Sequence, residues 1–117
     1  LLKLTTSARV GMFYQNIGAY PEAIQAYNQA LEINPAHKTS LHNIGVLKVF
    51  LGDTIGALDY FSKAIEVDDM YLEAYFGRAY VYELLGETVK SESDYRTTLM
   101  LDPAYRPAMD GLTRIGK

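Results

Sequence analysis

The 117-residue sequence predicts an all-α protein built as a stack of antiparallel helix pairs, about seven helices in all. Three observations carry that prediction. A helix ending recurs at a constant spacing: YNQALEINP (27–35), FSKAIEVDD (61–69) and YRTTLMLDP (95–103), where 61 − 27 = 34 and 95 − 61 = 34. Gly18, Gly52 and Gly86 fall at the same spacing and divide each unit into two stretches with helical apolar periodicity. Nowhere do apolar and polar residues alternate between turn residues, as a strand requires. Ungapped self-similarity at this period marks a stacked repeat architecture.

Three units follow, residues 4–37, 38–71 and 72–105, with a closing helix at about 107–115 that caps the last core face. In the first unit, Pro21 stands where the second helix begins, a position that needs no backbone N–H. In the second, Thr39 or Ser40 is expected to cap a helix carrying Leu41, Ile44, Lys48 and Leu51. Gly52 ends it, and Asp53 or Thr54 caps the next, which carries Ile55, Leu58, Phe61 and Ile65. The third repeats the scheme, with the charged run GETVKSESDYR (86–96) expected on a solvated convex face. The tail puts Met109, Leu112 and Ile115 on one side of the last helix. Two columns of small residues, Ala23/Ala57/Ser91 and Ala30/Ala64/Thr98, let helices approach closely. The large column Tyr27/Phe61/Tyr95 fills the space between.

The bulk numbers bound the function classes. One domain's worth of chain, 49% hydrophobic, is enough for a core without metal or disulfide. There is no cysteine, which excludes thiolate sites and is compatible with a reducing, cytoplasmic setting. A net charge of −3 argues against nucleic-acid binding, and no apolar run approaches a membrane span. The chain opens on Leu1, already inside apparent helix, so it is expected to be a segment of a longer protein.

The residues resemble the tetratricopeptide repeat (TPR) over nearly the whole chain. The first unit offers Val10–Gly11, Tyr14, Gly18, Tyr20, Ala23, Tyr27, Ala30 and Pro35. The second offers Leu41, Ile44–Gly45, Gly52, Ala57, Phe61 and Ala64, and the third Tyr75, Ala79, Tyr82, Gly86, Tyr95 and Pro103. Four positions depart from the pattern. Ser7 stands where a large residue is expected, so the first helix is read as loosely packed or covered from upstream. Lys48 replaces a tyrosine. Arg78 replaces a leucine and needs an acid or a carbonyl. Asp69 replaces proline between units two and three, where Asp68 and Asp69 still favour a turn over one continuous helix.

The resemblance implies a right-handed superhelix whose first helices line a concave groove. The groove positions it implies are Arg9, Met12 and Asn16 from unit one, then His42, Asn43, Val46, Val49 and Phe50 from unit two. Unit three adds Glu73, Phe76, Tyr80, Glu83 and Leu84. Helix 39–51 is apolar on both sides, and Phe76, Tyr80 and Leu84 repeat the excess at i, i+4, i+8. Three readings stand: a floor for a partner's apolar side chains, packing between adjacent helices, or a surface covered by upstream chain or another copy. On the first, Asn16 and Asn43 hold a partner's backbone while Arg9, Glu73 and Glu83 set its polarity. The carboxylate clamp that some TPR co-chaperones use on chaperone C-termini would need basic residues and asparagines in the columns that here hold Ala8, Met12, Asn43, Glu73 and Gly77. Only Asn43 matches, so that ligand is not expected.

Catalytic signals are thin, and no enzyme activity, metal or cofactor is expected. His37 and His42 have no third ligand at suitable spacing, and Glu73 and Glu83, ten apart, carry no sign of a raised pKa. The expected function is a scaffold that binds a protein or peptide segment in its groove. Alternatives are the targeting arm of a larger enzyme, or a self-assembly module that forms homo-oligomers through the repeat ends or the groove.

Overall fold

A computed structural model describes residues 2–117. Among them run seven α-helices: α1 (Leu2–Asn16), α2 (Tyr20–Ile33), α3 (Lys38–Phe50), α4 (Thr54–Val67), α5 (Leu72–Leu84), α6 (Thr88–Leu101) and α7 (Arg106–Arg114). The second helices start at 20, 54 and 88 and the later first helices at 38, 72 and 106, so every step equals the sequence period. Helix α1 packs on α2, α3 on α4 and α5 on α6, and the pairs join through α2 with α3, α4 with α5, and α6 with α7. Helix α3 also touches α5, so first helices line one side of the stack. The molecule measures 44 × 26 × 21 Å.

Local chemistry sets the helix limits. The turns inside the pairs pass through Gly18, Gly52 and Gly86 at φ of +79°, +80° and +73°, a conformation that carries no Cβ penalty only for glycine. At the second of these, Asp53 caps α4 by accepting from Gly56 N–H at 2.9 Å, and Lys48 reaches the same carboxylate at 3.3 Å. Pro21 lies in the first turn of α2, as its missing N–H predicts. The start of α3 differs from expectation. His37 is the N-cap residue, while Thr39 and Ser40 lie inside the first turn. The hydroxyl of Ser40 is buried against His37 Nδ1 at 2.6 Å, so it is taken up by a side chain instead of the helix end.

The Asp68–Asp69 joint is a turn. Helix α4 stops at Val67 and α5 starts at Leu72. Asp68 Oδ1 accepts from Met70 N–H at 3.0 Å, Tyr75 Oη donates to the Asp69 carbonyl at 2.9 Å, and Lys38 pairs with Asp68 across the joint. Three side-chain contacts thus stand in for the ring of the absent proline.

The core follows the columns. Ala23, Ala57, Ser91, Ala30, Ala64 and Thr98 are all fully buried, as are Tyr27, Phe61 and Tyr95 to within 1%. The two hydroxyls in the small columns are satisfied: Ser91 donates to the Ala79 carbonyl at 2.8 Å and Thr98 to the Asp94 carbonyl at 2.9 Å. Most of 86–96 is exposed as expected and Ser91 and Tyr95 turn inward with their columns, but Asp94, read as part of the solvated face, is buried. Asp94 answers the requirement of Arg78. The guanidinium donates from Nε at 2.7 Å and Nη2 at 3.0 Å to the two carboxylate oxygens, and from Nη1 to Ser62 at 3.2 Å. This fork is the strong, planar form of ion pair.

The ends of the stack are looser. Gly11 is the buried residue of α1, and Val10 and Phe13 are exposed where their counterparts one repeat on, Ile44 and Leu47, are fully buried. In α7 the inward residues are Ala108, Gly111 and Leu112; Met109, expected beside Leu112, is 38% exposed.

Candidate binding groove

Each joint of the stack is built on the same four columns, and their chemistry differs from joint to joint. The columns are Gln15/Val49/Glu83, Tyr27/Phe61/Tyr95, Asn43/Gly77/Gly111 and Val46/Tyr80/Arg114. At the first joint Tyr27 Oη donates to Gln15 Oε1 at 2.8 Å and accepts from Asn43 Nδ2 at 3.2 Å, while Asn43 Oδ1 lies 3.2 Å from His42 Nδ1. At the third, Tyr95 Oη donates to Glu83 Oε1 at 2.6 Å, and Arg114 grips the same carboxylate from Nε at 2.8 Å and Nη2 at 3.1 Å. The Arg114 guanidinium holds the Glu83 carboxyl below the usual carboxylate range. Burial, reinforced by Glu83, pushes the Tyr95 phenol well up.

The middle joint has none of this. Phe61 lacks the hydroxyl, Val49 lacks the acceptor, and Gly77 offers no side chain. A Cβ on Gly77 would sit 2.6 Å from the Phe61 ring, so the helix approaches the ring as closely as glycine allows. The result is a hollow of about 330 Å³ between α3 and α5, lined by His42, Val46, Val49, Phe50, Phe61, Glu73, Phe76, Gly77, Tyr80 and Tyr105. It is apolar except for His42, Glu73 and the tyrosine hydroxyls. Burial lowers the pKa of His42, so its ring stays neutral at pH 7; it packs 5.7 Å from the Phe61 ring and 5.6 Å from Tyr71. Phe50 stacks on Tyr20 at 5.5 Å and still leaves 62% of its surface exposed at the rim.

A second hollow of about 580 Å³ lies between α5 and α7, lined by Phe76, Tyr80, Glu83, Leu84, Pro107, Asp110 and Arg114. Phe76 and Tyr80 border both, so the two form one trough across the concave side.

Nine of the thirteen residues expected in the groove line this trough: His42, Val46, Val49, Phe50, Glu73, Phe76, Tyr80, Glu83 and Leu84. Arg9, Met12 and Asn16 are exposed on α1 and line neither hollow. Asn43 is half-buried, with its amide on Tyr27 and its oxygen on His42, so both ends of its side chain are engaged within the fold. Glu83 is tied to Arg114 and Tyr95, so its charge is already matched. Beyond those thirteen, Gly77, Asp110 and Arg114 also fall at groove positions and line the trough, whereas Phe61, Tyr105 and Pro107 line it without having been expected there. The signal for Tyr105 was its place one full repeat after Tyr71, at the start of the next first helix. Among the described residues, no group of three His, Asp or Glu side chains is placed to hold a metal ion.

Comparison with known proteins agrees with this architecture. The tetratricopeptide repeat family model matches residues 3–70. The photosystem I assembly protein Ycf3 of Cyanophora paradoxa is 32% identical over 89 residues, covering 74% of this chain and 51% of the relative. The Hsp70-Hsp90 organizing protein of Triticum aestivum is 30% identical over 95 residues, 81% of this chain and 16% of that protein. The chain thus spans about half or less of the length of these relatives. Among solved structures, the first TPR of Spaghetti (RPAP3), bound to the HSP90 peptide SRMEEVD, superposes with a TM-score of 0.95 at 24% identity, covering 97% of this chain and 90% of that one. That likeness speaks to the fold. With a family model matching more than half the chain, on helices and packing columns of the same repeat, the chain belongs to the tetratricopeptide repeat family.

Proposed function

We propose that this chain is a protein-binding module that takes an extended segment or helix of a partner in the trough formed by α3, α5 and α7. The observation that supports the reading is the apolar middle joint. Phe50 at 62% and Tyr80 at 38% exposure present large apolar surface around a hollow with an apolar floor, and Leu84 at 53% adds to it beside the adjoining hollow. Such concentrations of exposed apolar area mark binding surfaces. The trough offers aromatic anchors of the kind that dominate interface energetics. Its aromatic and aliphatic lining suits binding a partner's apolar side chains.

The relatives suggest the kind of partner by contrast. The RPAP3 domain was solved with an HSP90 peptide ending in EEVD. Here the columns that would meet such an acidic end hold Ala8, Met12, Asn43, Glu73 and Gly77, of which only Asn43 matches. An acidic terminus would face Glu73 without a compensating base, so this trough is read as taking apolar side chains rather than clamping a carboxylate. The cysteine-free composition fits a cytoplasmic setting for that work. The test is substitution. Phe50→Ala and Tyr80→Ala are expected to weaken partner binding at least tenfold while helical circular dichroism and melting stay native. Loss of fold in both variants would make these residues core and refute the reading.

A further inference from the structure

Every charge along the trough can be assigned. Arg114 is committed to Glu83 and Tyr95. Lys38, at the near end of α3, is engaged by Asp68. His42 is neutral at pH 7. Two acids remain. Glu73 at the start of α5 lines the first hollow, and Asp110 on α7 lines the second; both are exposed, and neither has an ion-pair partner among the described residues. The Glu73 charge acts on His42, Tyr71 and Tyr105 and, at the start of α3, on the Lys38 ammonium, whose ion pair is with Asp68. Among the described residues, no unpaired lysine or arginine lines either hollow. The trough is therefore an apolar floor, centred on Phe76 and Tyr80, with, beside each hollow, one carboxylate that has no ion-pair partner among the described residues.

We infer that the occupant is a segment of a separate protein that carries large apolar or aromatic side chains flanked by lysine or arginine. This rests on the groove reading above and specifies its ligand. The apolar side chains fill the two hollows on either side of Tyr80. The flanking cations meet Glu73 and Asp110, and arginine there has an added surface in the exposed rings of Tyr80 and Phe50. An acidic segment meets repulsion at both places, which steers the choice of partner as much as its affinity.

The experiment selects binders from a random peptide display library on the immobilised chain at low salt. Enriched peptides are expected to pair large apolar residues with Lys or Arg and to lose binding to the Tyr80→Ala variant. For a synthetic enriched peptide, Glu73→Gln/Asp110→Asn is expected to weaken binding about 2- to 25-fold, the product of two exposed ion pairs, and to flatten its salt dependence. Enrichment of acidic or uncharged peptides, or no enrichment, overturns the inference. If such peptides still depend on Tyr80 and Phe50, the groove reading stands and the charge assignment alone falls. If binding ignores both aromatic residues, the groove reading falls as well. A concentration-dependent dimer that Glu73→Gln/Asp110→Asn dissolves would make the occupant a second copy and likewise overturn it.

Discussion

Replacing Arg78 by leucine tests whether the departures from the repeat pattern are structural. Leucine is the residue the pattern expects, so propensity and hydrophobicity alone predict a stabilised protein. The structure predicts the reverse. Asp94 is 5% exposed and its carboxylate is bonded to the guanidinium through both oxygens. Arg78→Leu leaves that charge buried and alone, a change that costs about 3–5 kcal/mol. Arg78 keeps 22% of its side chain exposed, so water relieves part of the loss and the lower end, about 3 kcal/mol, applies. For 117 residues the unfolding entropy near the midpoint is about 0.25 kcal/mol/K, so Tm should fall by about 12 °C. The companion Arg78→Leu/Asp94→Ala removes the orphaned charge along with its partner. It is expected within about 1 kcal/mol of the parent, since a buried pair exchanged for apolar residues is often near neutral. Urea unfolding followed by circular dichroism on the parent, both singles and the double gives the coupling energy directly. An Arg78→Leu variant as stable as the parent, or a double no better than that single, would refute the reasoning.

Other perturbations probe the middle joint. Phe61→Tyr introduces a hydroxyl opposite Val49 and should cost about 1–2 kcal/mol in urea unfolding; adding Val49→Gln, the pairing of the first joint, should recover most of it. Gly77→Ala drives a Cβ to 2.6 Å from the Phe61 ring and should destabilise by about 1–3 kcal/mol while narrowing the hollow, read as weaker peptide binding. His42 has its folded-state pKa depressed by burial, so its neutral form stabilises the fold. That stability is present above the unfolded pKa of about 6.5 and is lost as pH falls below it. The drop in Tm between neutral and mildly acidic pH should shrink in His42→Asn.

The helices and the packing columns were legible because stacking forces every unit to repeat the same burial. A fixed period announces itself, and Ala23, Tyr27 and Ala30 can be read as core from their recurrence alone. The cross-helix hydrogen bonds were less legible, because each joint solves its polar problem differently. Gln15 reaches Tyr27 and Glu83 reaches Tyr95 over one chain separation, whereas Asn43 reaches back to Tyr27 and Arg78 reaches forward to Asp94 over another, slightly longer one. The same separation takes Arg78 back to Ser62 in the preceding pair and forward to Asp94 in its own, and of the two only Asp94 is an acid. Placing Asp94 with the charged, solvated residues of 86–96 concealed that pairing. The trough was legible as an excess of apolar residues on α3 and α5. That Asn43 and Glu83 are tied inside the fold was not, since exposed and internally bonded polar residues look alike in a sequence.

Amide hydrogen exchange on the chain, free and saturated with a selected peptide, tests the binding surface most directly. Protection is expected to concentrate in α3 from His42 to Phe50, α5 from Glu73 to Leu84 and α7 around Asp110, with the outer helices α2, α4 and α6 unchanged. Protection centred on α4 and α6, with α3 and α5 unaffected, would contradict a concave apolar trough as the site of binding.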